Sequence, residues 1–131
     1  MGKIMTNLYL LFVTSIVFIL IDSTYLYLAK DFFKFQVKSI QGVSMTIRPY
    51  ATILCYISLV FLLYYFILRE RKSVKDAFLL GLGIYAVYET TNLAIFNRWL
   101  PITAVVDTLW GGILFALTTK VVYVLTLVMP R

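Results

Sequence analysis

Asp22, Glu89 and Asp107 each interrupt a long apolar stretch in a 131-residue chain that holds only six acidic residues. A carboxylate at the centre of a bilayer costs roughly 2.5–3.5 kcal/mol on insertion scales, so an acid kept inside an apolar stretch is expected to face the protein interior and to bind something or handle protons. Helical spacing gives these acids neighbours. Tyr85, Tyr88, Glu89, Asn92 and Phe96 follow the i, i+3, i+4, i+7 pattern of one helix face, while Leu79, Leu80, Ile84, Val87 and Ile95 largely lie elsewhere. Asp107, Trp110, Gly111 and Leu114 stack in the same way, and Gly111 with Gly112 lets a neighbouring helix or a ligand approach the backbone. The two faces are expected to meet in a polar pocket walled by Tyr88, Trp110 and Trp99, with Arg48 and Arg98 at its mouth. Acids inside aromatic walls suit a proton, a cation or a cationic small molecule. The candidate ligand-binding residues are therefore Asp22, Arg48, Tyr85, Tyr88, Glu89, Asn92, Asp107 and Trp110.

The three acids and Trp99 also have purely structural roles open to them. Asp107, four residues after a candidate N-cap at Thr103, could complement the helix N-terminal dipole. Glu89 could be a protonated clasp hydrogen-bonded to Tyr or Asn across a helix interface. Asp22 could pair with Arg48 and fix the packing of two spans, and Trp99 could anchor the chain at the membrane interface. What favours a site is the coincidence of depth. Counted from the ends nearest Lys30 and Arg98, the three acids lie about 9, 10 and 6 Å into their spans at 1.5 Å rise per residue. All three are then in the same half of the membrane.

The elements that must position these residues follow from composition. The chain is 62% hydrophobic and 14% charged, against about 45–50% apolar and 25% charged in soluble domains. An all-α fold is expected: an integral-membrane four-helix bundle with short loops, forming one transmembrane domain over residues 1–131. Spans are expected at about 8–28, 50–68, 76–96 and 104–125, the last ending between Val122 and Met129. Residues 30–47 alternate aromatic and charged groups, notably Phe32, Phe33, Lys34, Phe35 and Lys38, and are expected to lie in the interface, a solvated loop being the alternative. Gly42 permits a turn, and Pro49 suits the first turn of span two. Ser73 followed by Asp76 has the form of a capping box at the start of span three. Asn97 to Pro101 make a tight turn before span four. The apolar stretch ahead of Asp22 resembles a signal-peptide core but lacks a cleavage pattern after it, and Met1-Gly2 with Thr6 fits an N-myristoylation pattern.

Charge and cysteine content exclude several classes. The net charge of +6 would suggest nucleic acid in a soluble protein, but here the basic residues gather at span ends and in turns, so a lipid bilayer is the expected partner and no nucleic acid is. No histidine and the single Cys55 leave no internal disulfide and no usual ligand set for a transition metal, so neither a metal nor a cofactor is expected. Arg69, Arg71, Lys72 and Lys75 fall in one short turn. That turn, and both termini with it, are expected in the cytoplasm.

The run Tyr85-Ala-Val-Tyr88-Glu89-Thr90-Thr91-Asn92-Leu93-Ala94, then Trp99 and Pro101, then Asp107-Thr-Leu-Trp110-Gly111, resembles the signature of an uncharacterised family of small predicted membrane proteins, domain of unknown function 2177, found in bacteria and some large DNA viruses. Asp22 followed by Tyr25 and Leu26 resembles that family's first-span motif. The resemblance covers almost the whole chain and implies four spans, but it brings no activity. This sequence departs from the pattern in having Glu89 where Asp is usual and in placing Leu100 between Trp99 and Pro101. The Glu89 carboxyl thereby sits about one methylene further out.

Three readings of function stay open from sequence. The first is binding or transport of a proton, cation or small molecule, with a homodimer supplying the room that four short spans lack. The second is an intramembrane acid/base enzyme, isomerase-like, acting on a lipidic substrate. The third is a structural membrane or viral envelope component whose polar residues only hold the bundle together.

Overall fold

The computed structural model describes residues 2–128 and 130. Met1 of the acylation pattern, Met129 at the far limit expected for span four, and Arg131 lie outside the described residues. Four helices follow in order: α1 (Gly2–Gln41), α2 (Pro49–Leu63), α3 (Val74–Ile95) and α4 (Pro101–Thr126), and α2 runs on into a π-helical turn, Tyr64–Leu68. All four, with the π-turn counted in α2, are long and apolar enough to cross a membrane.

The helix ends obey local chemistry. Pro49 and Pro101 sit in the first turns of α2 and α4, where a missing N–H costs nothing. Ser73 Oγ accepts from Asp76 N at 3.1 Å and starts α3 as the capping pattern predicts. Gly42 closes α1 with a φ of 77°, a conformation open to glycine without strain. The wide turn after α2 carries Arg69 N to Tyr64 O and Lys72 N to Ile67 O bonds, each 2.8 Å, and turns the chain sharply into α3.

Two boundaries differ from expectation. Residues 30–41 do not form a separate interfacial segment: they continue α1, which reaches 40 residues and, at 1.5 Å per residue, about 60 Å. No Gly or Pro interrupts this stretch before Gln41, and Gln36 docks its upper end on the turn between α3 and α4. Thr103 is also not the cap of α4. Leu100 holds the extended cap position, so Asp107 lies beyond the first turn, where the helix dipole has faded.

The bundle is apolar on its outer surface and encloses polar groups within an otherwise apolar interior. Among the described residues nine polar or charged ones are buried, including Asp22, Glu89, Asp107, Thr14, Thr118 and Thr119. Large apolar side chains such as Phe12, Leu20, Ile53, Leu54, Val87 and Val105 lie on the outside. This arrangement is stable only where the surrounding solvent is hydrocarbon.

α3 and α4 form the most intimate pair. Gly81 lies against the Gly111 carbonyl and Phe115, Gly111 lies under the Tyr85 ring, and Gly112 under the Phe78 ring. The glycines therefore admit a neighbouring helix, as small residues do at membrane helix interfaces. α1 packs along α4, and Phe18, Leu63, Leu68, Leu114, Phe115 and Val122 fill the apolar centre. α2 is the outer helix: it buries only Val60 and Leu63, followed by Ile67 and Leu68 of the π-turn.

Candidate functional site

Three acids from three helices meet in one hydrogen-bonded network. On α1, Asp22 and Tyr25 share a face three residues apart. Asp22 Oδ1 accepts from Trp110 Nε1 of α4 at 2.9 Å, and its Oδ2 accepts from the Tyr56 hydroxyl of α2 at 2.5 Å. Tyr25 donates to Asp107 Oδ1 at 3.1 Å. Its ring stacks on Trp110 with centroids 4.4 Å apart and planes within 4°. On α3, Glu89 is wholly buried and its Oε1 accepts from Trp99 Nε1 at 2.9 Å.

Glu89 and Asp107 lie near each other across the α3–α4 pair. The register explains this: Gly81 lies opposite Phe115 and Tyr85 opposite Gly111, so one further turn brings Glu89 to Asp107. Glu89 Oε2 is buried and receives no donor. A carboxyl pair with one unserved oxygen can be completed by a proton held between the two groups.

A second polar cluster locks the bundle above the acids. Gln36 Nε2 donates to Arg98 O at 2.8 Å, while its Oε1 accepts from Thr103 Oγ1 at 2.8 Å and Leu100 N at 3.2 Å. Gln36 thus satisfies a backbone carbonyl and an orphan N–H of the α3–α4 turn, which would otherwise lie unpaired in apolar surroundings.

Most of the residues singled out in the sequence come together here. Asp22, Glu89, Asp107 and Trp110 are in the network, Tyr85 packs over Gly111 beside it, and Asn92 is buried one turn beyond Glu89. Two do not join. Tyr88 is 57% exposed and points to lipid, so the aromatic wall is Tyr25, Tyr85, Trp99 and Trp110. Arg48 is exposed at the start of α2, and Asp22 is held by Tyr56 and Trp110 rather than by an Arg48 ion pair. Trp99, read both as a pocket wall and as an interface anchor, is buried against Glu89 and takes the first of these places.

The acids are packed against their donors and line neither of two cavities found nearer the α3–α4 turn. A cavity of about 500 Å³ lies higher up, between the end of α1 and the α3–α4 turn, lined by Ser39, Gln41, Phe96, Asn97 and Arg98 among others. Arg98 is tethered there, donating to Ser39 O at 3.3 Å. A second, apolar cleft of about 280 Å³ between α1 and α4 is lined by Tyr25, Ala29, Phe32, Phe33, Ile102, Thr103 and Val106. Tyr25 is the network's contact with it.

Tyr25, Tyr56 and Gln36 are network residues that the site reading from sequence omits. The signal for two of them is present: Asp22, Tyr25, Ala29, Phe33 and Gln36 recur at three- and four-residue steps on one face of α1. Tyr56 carries no such signal, because its role depends on how α2 leans on α1.

A family model described as predicted membrane protein (DUF2177) matches residues 7–124, a range that includes every acid of the network. No curated protein and no solved structure matches the chain.

Proposed function

Because the chain belongs to this predicted membrane protein family and is an integral multi-pass membrane protein, we propose that it binds a proton between Glu89 and Asp107 and passes it through the bundle. The observation that carries this reading is Glu89 Oε2, buried without a donor near a second carboxyl. Two neighbouring carboxylates cannot both stay charged cheaply, and one proton between them turns an orphan acceptor into a hydrogen bond. The surrounding donors favour a proton over a larger cation. Trp99 and Tyr25 already point N–H and O–H groups at the pair, and positive hydrogen ends repel a metal ion while leaving few lone pairs to coordinate it. Asp22 supplies a further acid, joined to Asp107 through the stacked Trp110 and Tyr25 rings.

The test is proton flux. Purified protein in liposomes with a trapped pH-sensitive dye should dissipate an imposed pH gradient, and Glu89→Gln, which keeps shape but cannot release a proton, should reduce this to the protein-free rate. Equal flux in both proteins would defeat the reading.

The apolar cleft favours one alternative. It opens on the lipid-facing flanks of Phe32 and Ile102 and ends on Tyr25, whose hydroxyl meets Asp107. A lipidic chain lying there would reach an acid/base pair suited to moving a double bond. Lipid extracts from cells with and without the protein separate the two, since an enzyme converts a species and a proton carrier does not. For orientation we place both termini in the cytoplasm, supported by the four basic residues of the turn before and at the start of α3. Labelling of Lys72→Cys by a membrane-impermeant thiol reagent in intact cells would contradict it.

A further inference from the structure

Threonines inside membrane helices ordinarily turn their hydroxyls back onto the carbonyl four residues earlier. Thr14, Thr24, Thr90, Thr91 and Thr126 all do so, with bonds of 2.6 to 3.0 Å. Thr118 and Thr119 do not. Both are wholly buried, and neither Oγ1 has a partner. With Glu89 Oε2 they are the buried side-chain atoms left without a hydrogen bond among the described residues.

Their position is informative. On α4, Asp107, Gly111, Phe115 and Thr118 follow one face toward the far side of the bundle, and on α1 Asp22, Phe18 and Thr14 step in fours the same way. At 1.5 Å per residue the threonine layer lies about 12–18 Å beyond the acids along the helix axes. Between the two polar layers stand Phe18 and Phe115, both fully buried and packed edge to face with centroids 5.6 Å apart. Beyond the threonines, one turn along α4, the Tyr123 hydroxyl donates to Lys72 O in the turn before α3 at 2.6 Å. Polar groups therefore stand at the surface turn, at the threonines and at the acid network, with the apolar core, Phe18 and Phe115 included, between these levels.

We infer that Thr118 and Thr119 form a second station of the path, holding a water or hydronium ion between the Lys72 turn and the acids, with Phe18 and Phe115 as the gate between the two stations. This rests on the proton reading above. A water needs two to four polar partners, and two unspent hydroxyls, at the level that the Phe18–Phe115 register gives the buried Thr14, begin such a site. A hydrophobic constriction stops conduction by staying dry. When the phenyl pair separates, the water at the threonines accepts a proton from the Lys72 side and gives up another toward Asp22 and the Glu89–Asp107 pair. The hydroxyls themselves end unchanged. The path lies within one chain, so a second subunit is not needed to complete it.

The experiment compares full-length proteins in the same liposome assay, with circular dichroism to check helix content. Combined Thr118→Val and Thr119→Val, which keeps volume and removes both hydroxyls, is expected to lower flux to the protein-free rate. Combined Thr118→Ser and Thr119→Ser is expected to retain flux. Phe115→Leu, which thins the gate while keeping it apolar, is expected to raise it. Wild-type flux in the Val pair, or loss of flux in the Ser pair with helix content intact, would overturn the second station while a Glu89→Gln loss left the proton reading standing. Unchanged or lowered flux in Phe115→Leu would overturn the gate. Absence of flux in the wild type would remove both the reading and the inference.

Discussion

Gly81→Ala and Gly83→Ala place the same methyl group on the same helix two residues apart, and the structure predicts opposite outcomes. A Cβ at Gly81 would collide with the Gly111 carbonyl oxygen and the Phe115 side chain, whereas at Gly83 nothing lies within 4 Å. The Gly111 backbone cannot yield without separating α3 from α4, and Phe115 is held from the other side by Phe18. Overpacking of this kind costs about 1–3 kcal/mol. Helices in a membrane persist when the bundle comes apart, so helix propensity contributes little to either variant. The expected difference is therefore about 1–3 kcal/mol, or roughly 5- to 150-fold in the folded-to-unfolded ratio. Reversible unfolding in mixed micelles, titrated with a denaturing detergent and followed by tryptophan fluorescence, measures it, because Trp99 is bonded to Glu89 of α3 and Trp110 is stacked on Tyr25 of α1, so both lose their surroundings when the helices separate. Equal stability of the two variants would refute the packing argument, and with it the register that sets Glu89 against Asp107.

Other perturbations probe the network and its lock. Trp110→Phe removes the donor to Asp22 Oδ1 but keeps a ring to stack on Tyr25, so in the same unfolding assay it should cost about 0.6–1.7 kcal/mol. Trp110→Ala should cost at least another ~0.5–1.5 kcal/mol for the lost aromatic pair. Gln36→Leu strips the partners from Arg98 O, Leu100 N and the Thr103 hydroxyl. It should destabilise by about 1–3 kcal/mol and speed hydrogen exchange at Leu100 N, with little change at the far end of the bundle.

The spans were legible because hydropathy alone separates about twenty apolar residues from basic turns, and Ser73, Pro49 and Gly42 mark their ends by local chemistry. The acids were legible for the same reason, as charges where charges are costly. What escaped depends on tertiary placement. A stripe of Tyr85, Tyr88 and Glu89 spans a wide arc of helix, and which tyrosine turns inward is decided by the seat that Gly111 provides for Tyr85. An aromatic next to a turn reads equally as an interface anchor or as a donor folded back inside, and Trp99 is the latter. Alternating Phe and Lys after Leu28 fits a surface-lying segment, yet Gln36 finds its partners only if α1 continues upright. Thr118 and Thr119 gave no signal at all, since threonine is ordinary in membrane helices and only the missing backbone bond sets them apart.

The central claim is that one proton is shared between Glu89 and Asp107, and infrared spectroscopy reads it directly. In lipid at neutral pH the wild-type protein should show the carbonyl stretch of a buried, protonated carboxylic acid, slow to shift in heavy water, and both Glu89→Gln and Asp107→Asn should lose it. Two ionised carboxylates in the wild type, with no such band, would contradict the account.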